Sequence, residues 1–423
     1  MTGPPGPGAP DLGDDGLKSV DQHLADLLGA VSPIAPLDLQ LLDAHGCILA
    51  EPVVAEVDLP RFDNSAVDGY AVRMADVESA GASTPAQLPV VGDIAAGSRP
   101  TYTVQPGMSV RIMTGAPVPP GAEAVVPLEW TDGGIASVSI TQTPEPGNAV
   151  RRQGEDVKTG QTVLEAGTRL GPGQLGLLAA VGRDRVLVRP RPRVVIISTG
   201  SELVEPGSPT EPGQIHESNS YLLTTAAREA GALAFRVGIV PDDDRSLMNA
   251  IEDQLIRADL VLTSGGVSVG AYDVVKEVLS RLGTVRFDRV AMQPGKPQGF
   301  GTVGPDSTPI ITLPGNPVSS YVSFEVFVRP VIRRMLGVEP LHRPVVRASC
   351  LEPLTSQRGK RQYLRAWLDV ADGRYVVRPV GGPGSHLVRG LAHANALLMV
   401  PEDVTEVPEG GPVEVMVLER RLT

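Results

Sequence analysis

The stretch "ADLVLTSGGVSVGAYDVVKEVLSRL", residues 258–282, joins a continuous apolar run to a helical pattern through a loop of small residues. An uninterrupted apolar strand is one buried on both faces, as in a parallel sheet lying between helix layers. The alternation continues outward from it. Strand "RVVIIS" (193–198), helix 220–230, strand "FRVGIV" (235–240) and helix 245–257 precede it. Helix 274–282, strands "VRFDRVAM" (285–292) and "PIITL" (309–313) and helix 318–336 complete the run. This exchange predicts a doubly wound α/β domain over 191–338, with ligands at the carboxyl ends of its strands.

The flanks differ. Residues 1–16, "MTGPPGPGAPDLGDDG", are dominated by Pro, Gly and Asp and lack an apolar segment. They predict a disordered tail rather than an export signal, and a cytoplasmic protein. Leu17, Val20, Leu24, Leu27 and Leu28 follow helical spacing, with Ser19-x-x-Gln22 as a capping box. From about 45 to 190, short β-like pieces alternate with Gly/Pro turns, so 17–190 reads as a β-rich N-terminal region. Strand patterns from "VVRASC" to "VEVMVL" predict a small β domain over 343–423. The expected fold class is multidomain α/β plus β: a central doubly wound domain, a β-rich N-terminal region and a small C-terminal β domain.

Composition narrows the function. A formal charge of −12 without a long basic block argues against nucleic acid as a partner. No apolar run approaches the roughly 18 residues of a membrane span. Cys47 and Cys350 are too far apart in sequence to outline a disulfide framework or thiolate site. The six histidines form no HExxH pair, so any metal is expected on oxygen ligands.

Three polar loops fall at strand ends: "STGSEL" (198–203), "TSGGVSVGAYD" (263–273) and "LPGNPVSS" (313–320). Glycine N–H groups and helix N-termini there are suited to an anion such as phosphate. "GGVSVG" matches neither standard phosphate-loop pattern and reads equally as a tight turn. Asn316-Pro317 is also an N-cap followed by proline at the first helical position. Glu202, Asp242 and Asp273 each follow a strand, and Asp273 alone would read as a helix cap. Three acids on one sheet edge facing a phosphate site make sense with a hard cation such as Mg²⁺ between them. Chemistry alone assigns no role to Asp63, Asp68 or Thr114, which lie in polar turns.

Seven segments occur in one order: "FDNSAVDGYA", "RIMTGAPVP", "RRQGED", "STGSEL", "SGGVSVG", "PGKP" and "LPGNPVS". Together they resemble the molybdopterin molybdenumtransferase (MoeA) family, which includes the E domain of gephyrin, from about residue 17 onward. The resemblance implies an enzyme that takes adenylylated molybdopterin and molybdate, splits the pyrophosphate, inserts molybdenum at the dithiolene and releases AMP. It implies that Gly265, Gly266, Ser268 and Gly270, with Pro314, Gly315, Asn316, Pro317 and Ser319, hold the pterin phosphate end. Lys296 would contact an anion, and Glu202, Asp242 and Asp273 would position Mg²⁺ and the pyrophosphate. Asp68 and Thr114 would serve activity from a β-rich domain that closes the cleft of the partner subunit in a homodimer. Region 17–190 would then comprise two interleaved domains, and the adenylyltransferase and recipient molybdoenzymes would be further partners. Gln293 stands where many relatives carry lysine, and Arg289 is another basic position, so molybdate affinity does not carry over. The alternatives are the related adenylyltransferase, which lacks "FDNSAVDGYA", and a non-catalytic gephyrin-like scaffold, against which the intact acids stand.

Overall fold

Six apolar or small residues in a row, 194–199, are all buried in the strand "RVVIIST", and this strand organises the central domain. The computed structural model describes residues 16–99, 101–265 and 274–418. They form two compact units, one comprising 38–45 and 49–188 and the other the remainder.

In the second unit β1 (Arg193–Thr199), α1 (Asn219–Ala230), β2 (Leu233–Val240), α2 (Asp244–Leu255), β3 (Leu260–Ser264) and α3 (Val274–Leu282) follow one another. Then come β4 (Arg286–Arg289), β5 (Pro297–Val303), β6 (Thr308–Leu313) and α4 (Pro317–Ser323). A π-helical turn at Phe324–Val328 leads on to α5 (Arg329–Leu336). The sheet order is β2-β1-β3-β6-β5-β4. The first four strands are parallel, whereas β5 and β4 run antiparallel at one edge. Alternate β1 residues feed two cores. Val194 and Ile196 pack with Leu223 of α1 and Val322 of α4, while Val195 and Ile197 pack with Leu247 of α2 and Val278 of α3. Helices therefore cover both faces, and the order reverses direction at β1 and β3.

Two expectations for this sheet change. "VRFDRVAM" is not one strand: Arg286–Arg289 pairs with β5, whereas Met292–Gln293 pairs with Arg361–Gln362 of the C-terminal domain. Lys18 separates the halves, donating its N–H to Arg289 and accepting one from Ala291. Strand β5 carries the glycines of "PQGFGTV", which weaken a strand reading. Glycine is needed at 301 because a Cβ there would lie 2.5 Å from Val285 Cα.

The helix Val20–Gly29 starts where the capping signal placed it, with Ser19 Oγ accepting from Gln22 N at 3.1 Å. The reciprocal arm is not made, since Gln22 Nε2 donates to Asp26 instead. Val20 and Leu27 join the core of α1, α4 and α5. Buried Lys18 donates to Asp26 at 2.6 Å and Asp288 at 2.8 Å. His23, 1% exposed, rests edge-on against Phe327 with Nδ1 3.4 Å from Asp288. Burial lowers the His23 pKa more than Asp288 raises it. A depressed folded-state pKa leaves this contribution intact above the free value of 6.5 and removes it as pH falls toward the folded value. Thermal melting should therefore decline between pH 7 and 5, and His23→Leu should flatten that decline; an unchanged slope would place the acid sensitivity elsewhere.

In the C-terminal domain Arg361–Ala371, Arg374–Pro379, Val345–Cys350, Pro412–Val417 and Ala396–Val400 pair in a ring that closes on its first strand. Cys350, Val377, Leu398 and Val415 fill this five-stranded barrel. In the first unit a five-stranded sheet runs Ala124–Pro127, Gly69–Val72, Ser109–Ile112, Ala86–Ile94, Ser137–Ile140. Tyr70 and Val72 face one core and Ala71 the other, as period-two alternation requires.

Candidate functional site

The carboxyl ends of β1, β3 and β6 border a cavity of about 620 Å³ at the reversal in strand order. Such crevices are where doubly wound sheets take their ligands. Glu202, Asp242, Gly265, Pro314, Gly315, Asn316 and Pro317 all line it. Gly265 has φ +100°, and a Cβ there would lie 2.9 Å from the Thr199 carbonyl oxygen, so the β3 loop needs glycine for both reasons. Its N–H donates to the Leu313 carbonyl, holding the β3 and β6 loops together.

Glu202 and Asp242 supply the charge. Asp242 is open to solvent at the cavity mouth, yet partial burial and then the Glu202 carboxylate raise its pKa above the ordinary value. A carboxylate whose charge is disfavoured by a neighbouring one marks a place for a cation. The three consecutive acids after β2 divide their tasks. Asp242 lines the cavity, Asp243 caps α2 by accepting from Ser246 N at 2.9 Å, and Asp244 pairs with Arg281. Among the described residues no group of three or more His, Cys, Asp or Glu is gathered as a metal cage. The Glu202–Asp242 pair fits Mg²⁺ nonetheless, because that ion commonly takes one or two carboxylates and completes its shell with water and substrate phosphate. Buried Thr199 Oγ1 and Asn219 Oδ1, on lining residues, make no hydrogen bond among the described residues.

The remaining expected residues are placed variously. Asn316 is the N-cap of α4 by position, with Pro317 next, but its side chain does not cap the helix. Its Nδ2 donates instead to Ser385 Oγ of the C-terminal domain at 3.0 Å. Ser319 is buried in α4 and Lys296 is half-buried beside lining residue Pro297; neither lines the cavity itself. Gly266, Ser268, Gly270 and Asp273 lie outside the described residues. In the other unit, Asp68 and Thr114 come together: Asp68 Oδ1 accepts from Thr114 N at 2.7 Å and from its hydroxyl at 2.8 Å. Those bonds hold the Asp68 carboxyl below its usual pKa.

Sequence reasoning missed Glu217, Asn219 and His386, which also line the cavity. Asn219 Nδ2 bridges Ser264 Oγ and the Gly315 carbonyl, both at 2.7 Å, and so ties two of the loops. The "ESN" that opens α1 is a weak signal for this, and nothing local marks His386.

A doubly wound domain with an acid-bearing crevice, joined to a closed β barrel, defines a multidomain α/β enzyme class. Three family descriptions match in order: "MoeA N-terminal region (domain I and II)" over 18–182, "Probable molybdopterin binding domain" over 195–334, and "MoeA C-terminal region (domain IV)" over 347–418. Molybdopterin molybdenumtransferase 2 of Mycobacterium tuberculosis is 49% identical over 405 residues, spanning 94% of this chain and 99% of its own. The same organism's molybdopterin molybdenumtransferase 1 is 44% identical over 422 residues, spanning 95% and 99%. A solved molybdopterin biosynthesis MoeA protein from Pyrococcus horikoshii is 32% identical with TM-score 0.74, covering 96% of this chain and 100% of that one. The chain belongs to the molybdopterin molybdenumtransferase family of enzymes.

Proposed function

We propose that this enzyme inserts molybdenum from molybdate into adenylylated molybdopterin, splitting the pyrophosphate and releasing AMP, as a step of molybdenum cofactor biosynthesis. The carrying observation is the Glu202–Asp242 pair in the crevice, beside loops whose backbone can approach a phosphate at Gly265 and Gly315. We assign the phosphate end of the pterin to Gly265, Gly266, Ser268 and Gly270 together with 314–317, with Ser319 supporting that loop from within α4. Glu202, Asp242 and Asp273 are assigned to Mg²⁺. The bound ion would supply positive charge to the pyrophosphate oxygens. Asp68 and Thr114, already hydrogen-bonded to each other, are assigned to the same reaction. We infer a cytoplasmic homodimer; among the described residues no helix is long and apolar enough to cross a membrane.

Incubation with adenylylated molybdopterin, molybdate and Mg²⁺ should release AMP and activate an apo-molybdoenzyme. Consumption of ATP with free molybdopterin would instead mark an adenylyltransferase, and neither activity would mark a scaffold. Lys296 provides a second check. If its ammonium meets a bound oxyanion, Lys296→Ala should weaken molybdate or substrate binding more at low salt than at high salt. A loss independent of salt would assign Lys296 to packing.

A further inference from the structure

We propose that Arg236 is a positioning residue that fixes the separation of Glu202 and Asp242. This rests on the reading of that pair as the cation site. Asp242 stands at the end of β2, six residues beyond Arg236, whereas Glu202 lies on a loop that returns to α1. That loop closes on itself through a two-residue parallel ribbon, Leu203–Val204 against Ile215–His216. The ribbon begins at Glu202, whose carbonyl accepts from Ile215 N at 2.9 Å. It ends at Glu217, whose N–H donates to the Val204 carbonyl at 2.9 Å.

Arg236 holds this ribbon to β2 from two sides. Its guanidinium NH2 donates to both oxygens of Glu205 at 2.6 Å, just past the first ribbon strand. Its Nε donates to Ser220 Oγ at 2.5 Å, just past the second. The guanidinium also lies 4.4 Å from the centre of the Tyr221 ring. Beneath it Glu217, 2% exposed, accepts from Ser198 Oγ at 3.0 Å and Ser220 N at 2.7 Å, with Arg236 NH2 3.7 Å away. The clamp thus joins β1, β2, α1 and the Glu202 loop through one planar cation. A planar fork suits this task because it sets direction as well as charge.

The register of β2 on β1 slips by one residue just after Arg236: Ile196 faces Arg236 but Ser198 faces Ile239. A bulge at this point re-aims the residues beyond it, here the segment leading to Asp242. With the clamp on one side of the bulge and Asp242 on the other, loss of Arg236 frees the Glu202 loop while leaving Asp242 in place just beyond the end of β2. Two carboxylates that no longer converge should bind a cation less tightly without losing the substrate's other contacts.

The experiment measures binding of Mn²⁺ alone to the full chain, from the paramagnetic signal of free Mn²⁺, with no turnover involved. Glu202→Gln and Asp242→Asn serve as reference variants that remove a proposed ligand. Arg236→Met should weaken Mn²⁺ binding by about tenfold to a hundredfold, the range for partners that orient metal ligands. Arg236→Lys should fall between wild type and Arg236→Met, since it keeps charge but not the fork. Glu205→Gln, altering a side chain 42% exposed, tests the outer arm with little threat to folding and should weaken binding severalfold. In AMP release, Arg236→Met should lower kcat and raise the metal requirement while leaving KM for adenylylated molybdopterin near wild type. Wild-type Mn²⁺ affinity in Glu205→Gln and in folded Arg236→Met, with the reference variants impaired, overturns the positioning role. Unimpaired reference variants, or no Mn²⁺ binding by wild type, overturn the cation reading itself. Should Arg236→Met fail to fold, Glu205→Gln alone decides.

Discussion

Glu202→Gln and Asp242→Asn should each slow AMP release from adenylylated molybdopterin by on the order of a hundredfold or more while leaving the fold intact. Each change removes one negative charge from the cavity mouth and keeps the side chain's shape. Both residues are exposed there, so neither substitution leaves a buried orphan. The deficit should shrink as Mg²⁺ is raised, because a weakened site can be filled by mass action. Asp242→Asn should also remove the acid-side inflection that belongs to Asp242 in the rate profile, because the group that burial and then Glu202 shift upward no longer titrates. Turnover at the wild-type rate with Mg²⁺ well below saturation would return both residues to solvation.

Arg343→Met should destabilise the protein by about 3–5 kcal/mol, because it leaves a buried charge without its main partner. Glu325, 0% exposed, sits in the π-helical turn between α4 and α5. Arg343 meets it with Nε at 2.9 Å from Oε2 and NH2 at 3.0 Å from Oε1, a two-pronged pair on the segment leading into the barrel. The same guanidinium donates to the Leu418 carbonyl and to Glu229. Arg329 offers little compensation, as its Nε is 3.9 Å from the carboxylate. Denaturant melts should show the loss, and the double variant Glu325→Leu/Arg343→Met should recover part of it, because the orphaned carboxylate is gone although Arg329 loses the carboxylate it faces. A single-variant loss below about 1 kcal/mol would mean that water or Arg329 replaces Arg343.

The two predictions differ in how far the sequence leads to them. Glu202 and Asp242 could be picked out because each follows an apolar strand of a pattern whose crevice is known in advance. Glu325 could not, since "SFEVFVRPVIRRML" places one acid in an apolar helix and does not say which cation reaches it. Its partner is 18 residues away, at the first residue of the predicted C-terminal β domain.

Local chemistry in the sequence determined the alternation of the central domain, the start of helix Val20–Gly29 at Ser19 and the gathering of three polar loops at strand ends. These depend on side-chain periodicity, caps and glycine backbone freedom, which act over a few neighbouring residues. Seven ordered segments also carried the family. Tertiary structure alone decided that "VRFDRVAM" serves two sheets and that Asn316 bonds Ser385 rather than its own helix. It alone brought Glu217, Arg236 and His386 to or beside the site. Each of these outcomes is a choice of partner among chemically equivalent groups. A polar side chain bonds whichever complementary group the packed fold delivers to it, so the choice is made by contacts distant in sequence.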